Sequence, residues 1–380
     1  MMFQDEGDYK VTTSAPARRF GSFRDGPQAG FLHEGDGLTR RPLLDSYEKI
    51  IINTSGGKDS QVMMEEVVNQ AKAAGVFDRC IAVHCDLGVM EWVGTRELAH
   101  KQARYYGLPF VVREREQGDI LQHTWDKYQT QLKKGQVAAP WPNQVLRWCT
   151  SDHKSHQVSS YITELKGAWR RGGPARFLNC LGLRAMESDG RDTCQICKGR
   201  DDAGDLKGRA KTLYAQGKLK NWTPMSECWV CAGTGQRAEF YPTELQTSQQ
   251  WVDEWLPIHR LSHDEVWERI AAGDCPHAPS YDLGFDRLSC VFCFFAGFDT
   301  MVAAGHKNPI LLQKMVDLEQ RLVRPDADAR RAAGKYPLYS YLQNYSLAEV
   351  LAKVKTTTFE EAQKKMLANL ARRDKKCATF

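Results

Sequence analysis

The chain lacks the long apolar segment that a membrane helix requires. None of its apolar runs approaches the roughly 20 consecutive residues that cross a bilayer. The first 44 residues, which are polar and rich in Gly and Arg, also lack the apolar core and cleavage site of a secretory signal. These absences predict a cytoplasmic protein with no membrane partner. Internal repeats of long period are absent as well, which argues against a solenoid.

A strong excess of charge of one sign is also missing. The net charge is only +5, from 52 Lys and Arg against 47 Asp and Glu. This is far weaker than the balance of a dedicated nucleic-acid binder. Hydrophobic residues at 42% and charged residues at 26% are ordinary for a globular protein. Composition therefore permits an anionic partner without identifying one.

Apolar runs alternate with helical patterns along much of the chain. The runs at residues 49–53, 80–85, 110–113 and 177–181 have strand character, and the pattern at 95–106 is helical. This alternation predicts an α/β fold of Rossmann-like type, in which helices flank a parallel sheet and ligands gather at the carboxyl ends of the strands.

Composition shifts divide the chain further. From about Asp192 to Gln236 it is polar, rich in Lys and Gly, and bracketed by paired cysteines, which indicates an insertion. We expect a poorly structured arm at 1–44, a nucleotide-binding domain at 45–191, a Cys-rich insertion at 192–236, completion of the nucleotide-binding domain at 237–298, and a helical, basic region at 299–380.

One loop has the chemistry of a phosphate site. It follows the first predicted strand and reads Ser55-Gly56-Gly57-Lys58-Asp59-Ser60. Two glycines let the backbone approach an anion, and the helix that follows directs free N–H groups and a positive dipole end at it. The spacing is not that of a Walker A motif. The alternative is an ordinary Gly turn with a Ser cap.

At these residues the chain resembles the PP-loop ATP pyrophosphatase superfamily, whose signature is SGGxDS. The resemblance implies the fold of adenine nucleotide alpha hydrolases, with ATP as the cofactor. The loop would hold the pyrophosphate portion of ATP while an acceptor oxygen attacks the α-phosphorus, and Asp59 would help to place Mg²⁺.

Four more segments resemble the phosphoadenylylsulfate reductase branch of that superfamily and keep its order. They begin near His84, Arg147, Leu181 and Pro257 and reach Cys293. The resemblance implies that Asp86 serves nucleotide or metal. It also implies that Lys154, Arg184 and Arg191 bind phosphate or sulfate and act with Lys58 and Asp59 in catalysis. The alternative for each cation is a surface salt bridge, and Glu187 either pairs with Arg191 or is a catalytic carboxylate.

Twelve cysteines in a chain without a secretion signal favour metal or redox chemistry over disulfides. Two Cys-x2-Cys knuckles lie in the insertion, each followed by a glycine at the second position after it. Their four thiolates suit tetrahedral zinc, and the alternatives are a redox dithiol or unligated thiols. The predicted zinc ligands are Cys194, Cys197, Cys228 and Cys231.

A second set of cysteines lies in the family-like segments. Cys149, Cys290 and Cys293 are candidates for an iron-sulfur cluster or a sulfur relay. Some adenylylsulfate reductases combine a Cys-Cys pair with Cys-x2-Cys, but Trp148 precedes Cys149 here, so one ligand is missing. Cys275 or an outside sulfur would supply it, or the three cysteines would hold a cluster with an open iron, which resembles what some tRNA thiolation enzymes use to carry sulfur. A second zinc and buried structural thiols stay open as alternatives. Cys80, Cys85 and Cys180, inside apolar strands, are expected in the core.

The closest functional resemblance is to the DndC- and SspD-type PP-loop proteins of DNA phosphorothioate modification. It implies an ATP pyrophosphatase that activates a phosphate oxygen for sulfur insertion. Its partners would be DNA or another nucleic acid and a cysteine desulfurase or sulfur carrier. The basic helices near the carboxyl end suit such a polyanion. The alternatives are a reductase that releases sulfite, although the ending Lys376-Cys377-Ala378-Thr379-Phe380 lacks the reductase tail, and a non-catalytic ATP-binding subunit.

Overall fold

The structure, a computed structural model, describes residues 10–13, 31–33, 40–136, 138–168, 175–194, 197–200, 209–216, 224–228, 231, 233–246, 250–342 and 344–377. The strands in these residues are β1 (Lys10–Thr13), β2 (Phe31–His33), β3 (Arg40–Pro42), β4 (Lys49–Thr54), β5 (Cys80–Cys85), β6 (Phe110–Glu114), β7 (Ala175–Cys180), β8 (Phe240–Gln246) and β9 (Gln250–Trp255).

Helices account for most of the remaining described residues. They are α1 (Lys58–Ala73), α2 (Thr95–Tyr105), α3 (Ile120–Lys133), α4 (Trp148–Thr150), α5 (His156–Ala168), α6 (Asp189–Asp192), α7 (Arg209–Ala215), α8 (His263–Ala271), α9 (Pro279–Asp282), α10 (Phe298–Lys307), α11 (Pro309–Arg321), α12 (Ala327–Ala332), α13 (Leu347–Lys355) and α14 (Phe359–Cys377). A π-helical turn, Ser151–Ser155, joins α4 to α5.

The central sheet has the order β1-β6-β5-β4-β7-β9-β8. Its neighbouring strands run parallel except for the last pair, β8 with β9, which is antiparallel. The carboxyl ends of β4, β5, β7 and β9 therefore meet at one edge, where a parallel sheet presents its ligand site. The strands that follow β4 in the chain lie first on one side of it, as β5 and β6, and then on the other side, as β7. The loop after β4 therefore lies at the centre of that edge.

Both faces of the sheet are covered, as expected for parallel strands. Ile50 and Ile52 of β4 pack toward α1, α2 and α8, while Ile51 packs on the other face with Val158 and Ile162 of α5. Each of these isoleucines is fully buried. Burial of one such side chain contributes roughly 1.5–3 kcal/mol, so β4 is anchored from both sides immediately before the phosphate loop.

The helices after Phe298 form a separate apolar cluster. Met301, Met315, Leu347 and Met366 are buried in it, and Trp148 of α4 joins it from the sheet domain. The cluster therefore closes over the carboxyl edge of the sheet. No helix in the described part of the chain combines the length and the apolar character that a membrane span needs.

The predicted α/β fold, with its parallel sheet, Cys-rich cluster and helical carboxyl region, is confirmed. Three features differ in detail from the sequence-based expectations. Short strands β1, β2 and β3 occur before residue 45, where little regular structure was expected. Strand β8 was not predicted. Cys80 and Cys180 are buried core residues as expected, whereas Cys85 is only partly buried.

Candidate phosphate site and the thiol-lined cavity

The loop between β4 and α1 is shaped by its two glycines. Gly56 has φ +72°, a conformation that costs little only for glycine. A Cβ on Gly56 would lie 3.3 Å from the Thr95 carbonyl oxygen, and one on Gly57 would lie 3.2 Å from the Tyr281 hydroxyl. The backbone is therefore tightly enclosed, as a loop that wraps an anion requires.

Two serine hydroxyls hold this loop together. The Ser60 hydroxyl donates to the Gly57 carbonyl at 2.8 Å and accepts from the Ser55 amide at 3.2 Å. The Ser55 hydroxyl lies 3.3 Å from that of Ser60. Both serines line a cavity of about 620 Å³ at the carboxyl edge of the sheet, although the Ser60 side chain is buried and its hydroxyl is bonded within the loop.

Lys58 differs from the expectation that its ammonium group faces phosphate. Its side chain is only 3% exposed, and Nζ donates to the Asp286 carbonyl at 2.8 Å. Burial lowers its pKa, partly offset by the neighbouring Asp59 carboxylate. The Lys58 amide donates to the Tyr281 hydroxyl at 2.9 Å. In this geometry Lys58 holds the segment that contains Tyr281 and Asp286 against the phosphate loop.

Asp59 and Arg184, two of the candidate site residues, form an ion pair. Arg184 Nε donates to Asp59 Oδ1 at 2.6 Å, and the other carboxylate oxygen lies 3.5 Å from Lys58 Nζ. Gly182 makes this approach possible, because a Cβ there would lie 2.9 Å from the Asp59 carbonyl oxygen. The end of β7 therefore packs directly on the first turn of α1.

A group of arginines surrounds Glu187, and we call Arg184, Glu187, Arg191 and Arg287 the arginine cluster. Glu187 forms ion pairs with Arg191 and with Arg287, the latter at 3.0 Å, and accepts from the Arg184 amide at 3.2 Å. The expected pairing of Glu187 with Arg191 is therefore present. Burial, followed by the charge of Arg287, lowers the Arg191 pKa to about 10. Cations held together in this way favour a bound anion.

The three candidate cluster cysteines line the same cavity as the phosphate loop. Cys149, Cys290 and Cys293 share it with Lys154, which lies in the π-helical turn. Burial raises the pKa of the Cys149 thiol, and it raises that of Cys290 to about 12. Lys154 opposes both increases. The lining includes Cys85 as a fourth thiol, whose Sγ lies 3.7 Å from the Lys154 carbonyl oxygen.

The spacing of these thiols decides which metal chemistry fits them. Among the described residues, only the four knuckle cysteines bring three or more ligand atoms within 4.8 Å of one another. A second mononuclear zinc at Cys149, Cys290 and Cys293 therefore does not fit. Cys275 is buried elsewhere: its carbonyl accepts from Gln61 at 2.9 Å.

The knuckle cysteines form a compact four-cysteine cluster, defined by Cys194, Cys197, Cys228 and Cys231. All four are buried, and their sulfur atoms lie within 4.8 Å of one another. The Gly235 amide also donates to the Cys231 sulfur at 3.3 Å. Four convergent thiols with a backbone N–H donor are the arrangement of a tetrahedral thiolate site. The cluster can therefore hold a metal ion, and its arrangement suits zinc.

Asp86 lies outside the main cavity. It lines a second cavity of about 530 Å³, pairs with Arg96 at 3.2 Å and accepts from the Gly88 amide at 2.7 Å. Its neighbour His84 is fully buried, with Nδ1 3.0 Å from the Thr54 carbonyl oxygen and Nε2 3.1 Å from Glu91. Burial lowers the His84 pKa, but Glu91 and Thr54 outweigh it, so the net shift is upward.

Sequence reasoning missed several residues of this site. Arg147 lies 5.2 Å above the Phe295 ring, and both line the cavity. Asp286 supplies the carbonyl that holds Lys58, and Tyr281 caps the loop amide. A usable signal existed for Arg147, Asp286 and Tyr281, which lie in family-like segments, but not for Phe295.

The geometry places the chain in the class of α/β nucleotide-binding proteins with a PP-loop at the sheet edge. The phosphoadenosine phosphosulfate reductase domain model matches residues 49–295, and the chain belongs to that family. None of the curated proteins matches the chain.

A solved structure similar to this chain is that of phosphoadenylyl-sulfate (PAPS) reductase from Candida auris in its phosphate complex. The similarity covers 65% of this chain and 83% of that one, at 11% identity and a TM-score of 0.34. A similarity of that size carries no inference about the site.

Proposed function

We propose that the chain is an ATP pyrophosphatase that converts ATP to AMP and pyrophosphate and so activates a phosphate oxygen for sulfur insertion. The observation that supports this proposal is the shared cavity. The cavity has a volume of about 620 Å³, and its wall includes the phosphate loop, three members of the arginine cluster and three candidate sulfur-handling cysteines. Anion binding and sulfur chemistry can thus occur within one enclosure.

The residues of the chain have distinct roles in this reaction. The loop amides and the Ser55 and Ser60 hydroxyls hold the β- and γ-phosphates, and Arg191 and Arg287 neutralise charge on the triphosphate. The acceptor oxygen then attacks the α-phosphorus, and pyrophosphate leaves along the line of attack. Mg²⁺ supplies further charge neutralisation when bound, and Asp59, which lines the cavity, is the residue that would hold it.

The sulfur step completes the proposal. A sulfur nucleophile at the oxidation level of hydrosulfide attacks the adenylated phosphorus, and AMP leaves with the oxygen that it had acquired. A cysteine desulfurase or sulfur carrier would provide the sulfur as a persulfide, and an external dithiol would reduce it to the hydrosulfide level and itself become a disulfide. Cys149, Cys290 and Cys293 would hold an iron-sulfur cluster or pass the sulfur on. The proposed acceptor is the backbone phosphate of DNA or another nucleic acid.

A second candidate function is reduction of adenylylsulfate or phosphoadenylylsulfate, and the family match favours it. Here a cavity thiol attacks the sulfate sulfur, the nucleotide leaves, and a thioredoxin-type dithiol then releases sulfite and is itself oxidised. The same arginine cluster would bind the sulfate and phosphate oxygens. Both reactions use one anion site but differ in the atom that is attacked.

One pair of assays separates these functions. Anaerobically purified protein is incubated with ATP, Mg²⁺, DNA and hydrosulfide, and separately with adenylylsulfate or phosphoadenylylsulfate and reduced thioredoxin. The proposal expects AMP and pyrophosphate in the first assay and no sulfite in the second. Sulfite formation would assign the reductase function. A thermal shift with ATP but no product in either assay would leave a nucleotide-binding subunit and contradict both enzyme functions.

An Arg191→Met variant supplies the internal control for these assays. It removes one cation from the cavity wall and should lower turnover strongly in whichever assay is positive. An Arg269→Met variant removes an arginine of α8 that pairs with Glu66 away from the cavity, and it should keep wild-type turnover.

A further inference from the structure

Asp192 lies where two distinct parts of the molecule meet. Towards the four-cysteine cluster, the Arg237 amide donates to the Asp192 carbonyl, and Gln236 Nε2 donates to its carboxylate at 3.3 Å. Thr193 forms a β-bridge with Gln236, and the Cys194 amide donates to the Gly235 carbonyl at 2.8 Å. The backbone from Asp192 to Cys194 is therefore fastened to residues 235–237, which follow Cys231 in the chain.

The other bonds of Asp192 point away from the cysteines. Its carboxylate accepts from Arg260 Nη1 at 2.7 Å, and Arg260 Nη2 donates to the Arg237 carbonyl at 2.7 Å. His259 Nε2, on a fully buried ring, lies 3.9 Å from the same carboxylate. The segment after β9 thus ties Asp192 to the sheet.

That same segment also holds Arg184. The His259 ring bonds to the Leu183 carbonyl at 3.0 Å, and the Ala185 amide donates to the His259 carbonyl at 2.8 Å. Arg184 in turn donates to Asp59 at 2.6 Å in the phosphate loop. The stretch 183–192, which carries Arg184, Glu187 and Arg191, is consequently fixed at one end by His259 and at the other end by Asp192.

We infer that Asp192 and Arg260 are positioning residues that couple metal binding at the four-cysteine cluster to anion binding at the arginine cluster. A metal ion fixes the four knuckle sulfurs and with them the strand pairing at Thr193. This pairing sets the position of Asp192, and Arg191 immediately precedes Asp192 in the chain. Loss of the metal releases one end of the stretch, and the arginine cluster loses its preformed geometry.

The test measures binding of inorganic pyrophosphate by calorimetry, with metal content determined on the same samples. The inference rests on the phosphate-binding part of the proposed function and on no turnover. Removing the metal with a chelator should weaken pyrophosphate binding by the wild type on the order of tenfold. Metal-loaded Arg260→Ala should show a similar loss of pyrophosphate affinity. Its metal content should not change, because the substitution leaves residues 191–194 unaltered.

The decisive result is the combination of the two changes. When two perturbations break one connection, their effects do not add. Stripping the metal from Arg260→Ala should therefore weaken binding no further. Asp192→Ala should behave as Arg260→Ala does.

Glu66→Ala is the matched control. Glu66 pairs with Arg269 at the same 2.7 Å distance, and both side chains are exposed to an extent similar to Asp192 and Arg260. It should keep wild-type affinity and the full effect of metal removal.

Two outcomes would overturn the inference alone. One is wild-type affinity that does not change when the metal leaves, and the other is fully additive losses in stripped Arg260→Ala. A wild type that binds no pyrophosphate would overturn this inference and the proposed function together. Tight, metal-dependent pyrophosphate binding without AMP formation from ATP would support the inference and contradict only the proposed function.

Discussion

Replacing Gly182 with alanine tests whether the end of β7 supports the phosphate loop. The added Cβ would lie 2.9 Å from the Asp59 carbonyl oxygen, 3.0 Å from the Asp59 carbonyl carbon and 3.1 Å from the Ser60 amide nitrogen. All three are backbone atoms in the first turn of α1, so none can rotate away. Either α1 or the end of β7 must move by several tenths of an ångström.

Overpacking of this kind costs about 1–3 kcal/mol, so we expect Gly182→Ala to lower the free energy of unfolding by about 2 kcal/mol. Because the displaced atoms belong to the phosphate loop, pyrophosphate affinity should also fall by about tenfold or more. Urea unfolding measures the first quantity and calorimetric titration the second.

Gly190 supplies the control for this prediction. It is exposed, and a Cβ there would meet no atom within 4 Å. Gly190→Ala should change unfolding by less than about 0.5 kcal/mol and leave binding unchanged. Wild-type pyrophosphate affinity in Gly182→Ala would refute the idea that this contact shapes the loop.

Three further predictions concern the same region. Tyr281→Phe removes the hydroxyl that occupies the first amide of α1; pyrophosphate should bind several-fold more tightly by calorimetry, and weaker binding would contradict this. Burial lowers the pKa of His123 and of His153 to about 4 from 6.5. The unfolded chain therefore binds more protons between these values, and stability should fall as pH falls from about 6.5 toward 4, by up to about 3 kcal/mol for each group. Urea unfolding at pH 7.5 and 5.5 checks this, and equal stability at both would refute it. Cys149→Ser should lower the iron content of anaerobically purified protein, whereas Cys180→Ser should keep it; equal iron in both would contradict a role for Cys149.

The sequence predicted the centre of the fold because the relevant signals are local. The apolar runs that predicted β4, β5, β6 and β7 are short and are separated by helical patterns. Their predicted bounds agree with those of the observed strands to within two residues. Strand β8 was not predicted because it contains Pro242, and a proline argues against a strand. Sheets accept proline only in edge strands or at bulges, and β8 is an antiparallel edge strand. Strand β1 pairs with β6 across a long sequence separation, and no local pattern reveals such a pairing.

The candidate site was predictable to the extent that strand ends converge. Loops after β4, β5 and β7 meet at one edge, so the phosphate loop and Arg191 lie on one cavity as their order implies. The direction of an individual side chain was not predictable. Lys58 is drawn from the cavity by a carbonyl 228 residues later, at Asp286. Asp86 is turned aside by its own bond to the Gly88 amide.

The four-cysteine cluster shows the same division between local and distant sequence information. Each knuckle of the four-cysteine cluster has two cysteines three positions apart in the sequence, so its spacing alone indicates a metal site. Where that site lies relative to the arginine cluster depends on Arg237 and Arg260, which are separated from Asp192 by 45 and 68 residues and match no motif. A spacing pattern can therefore identify a metal site, but the bonds that connect it to the phosphate site become visible only in the fold. For this chain, the inferred connection includes the bond between the Asp192 carboxylate and Arg260, and we therefore expect a single substitution at Arg260 to uncouple the two sites.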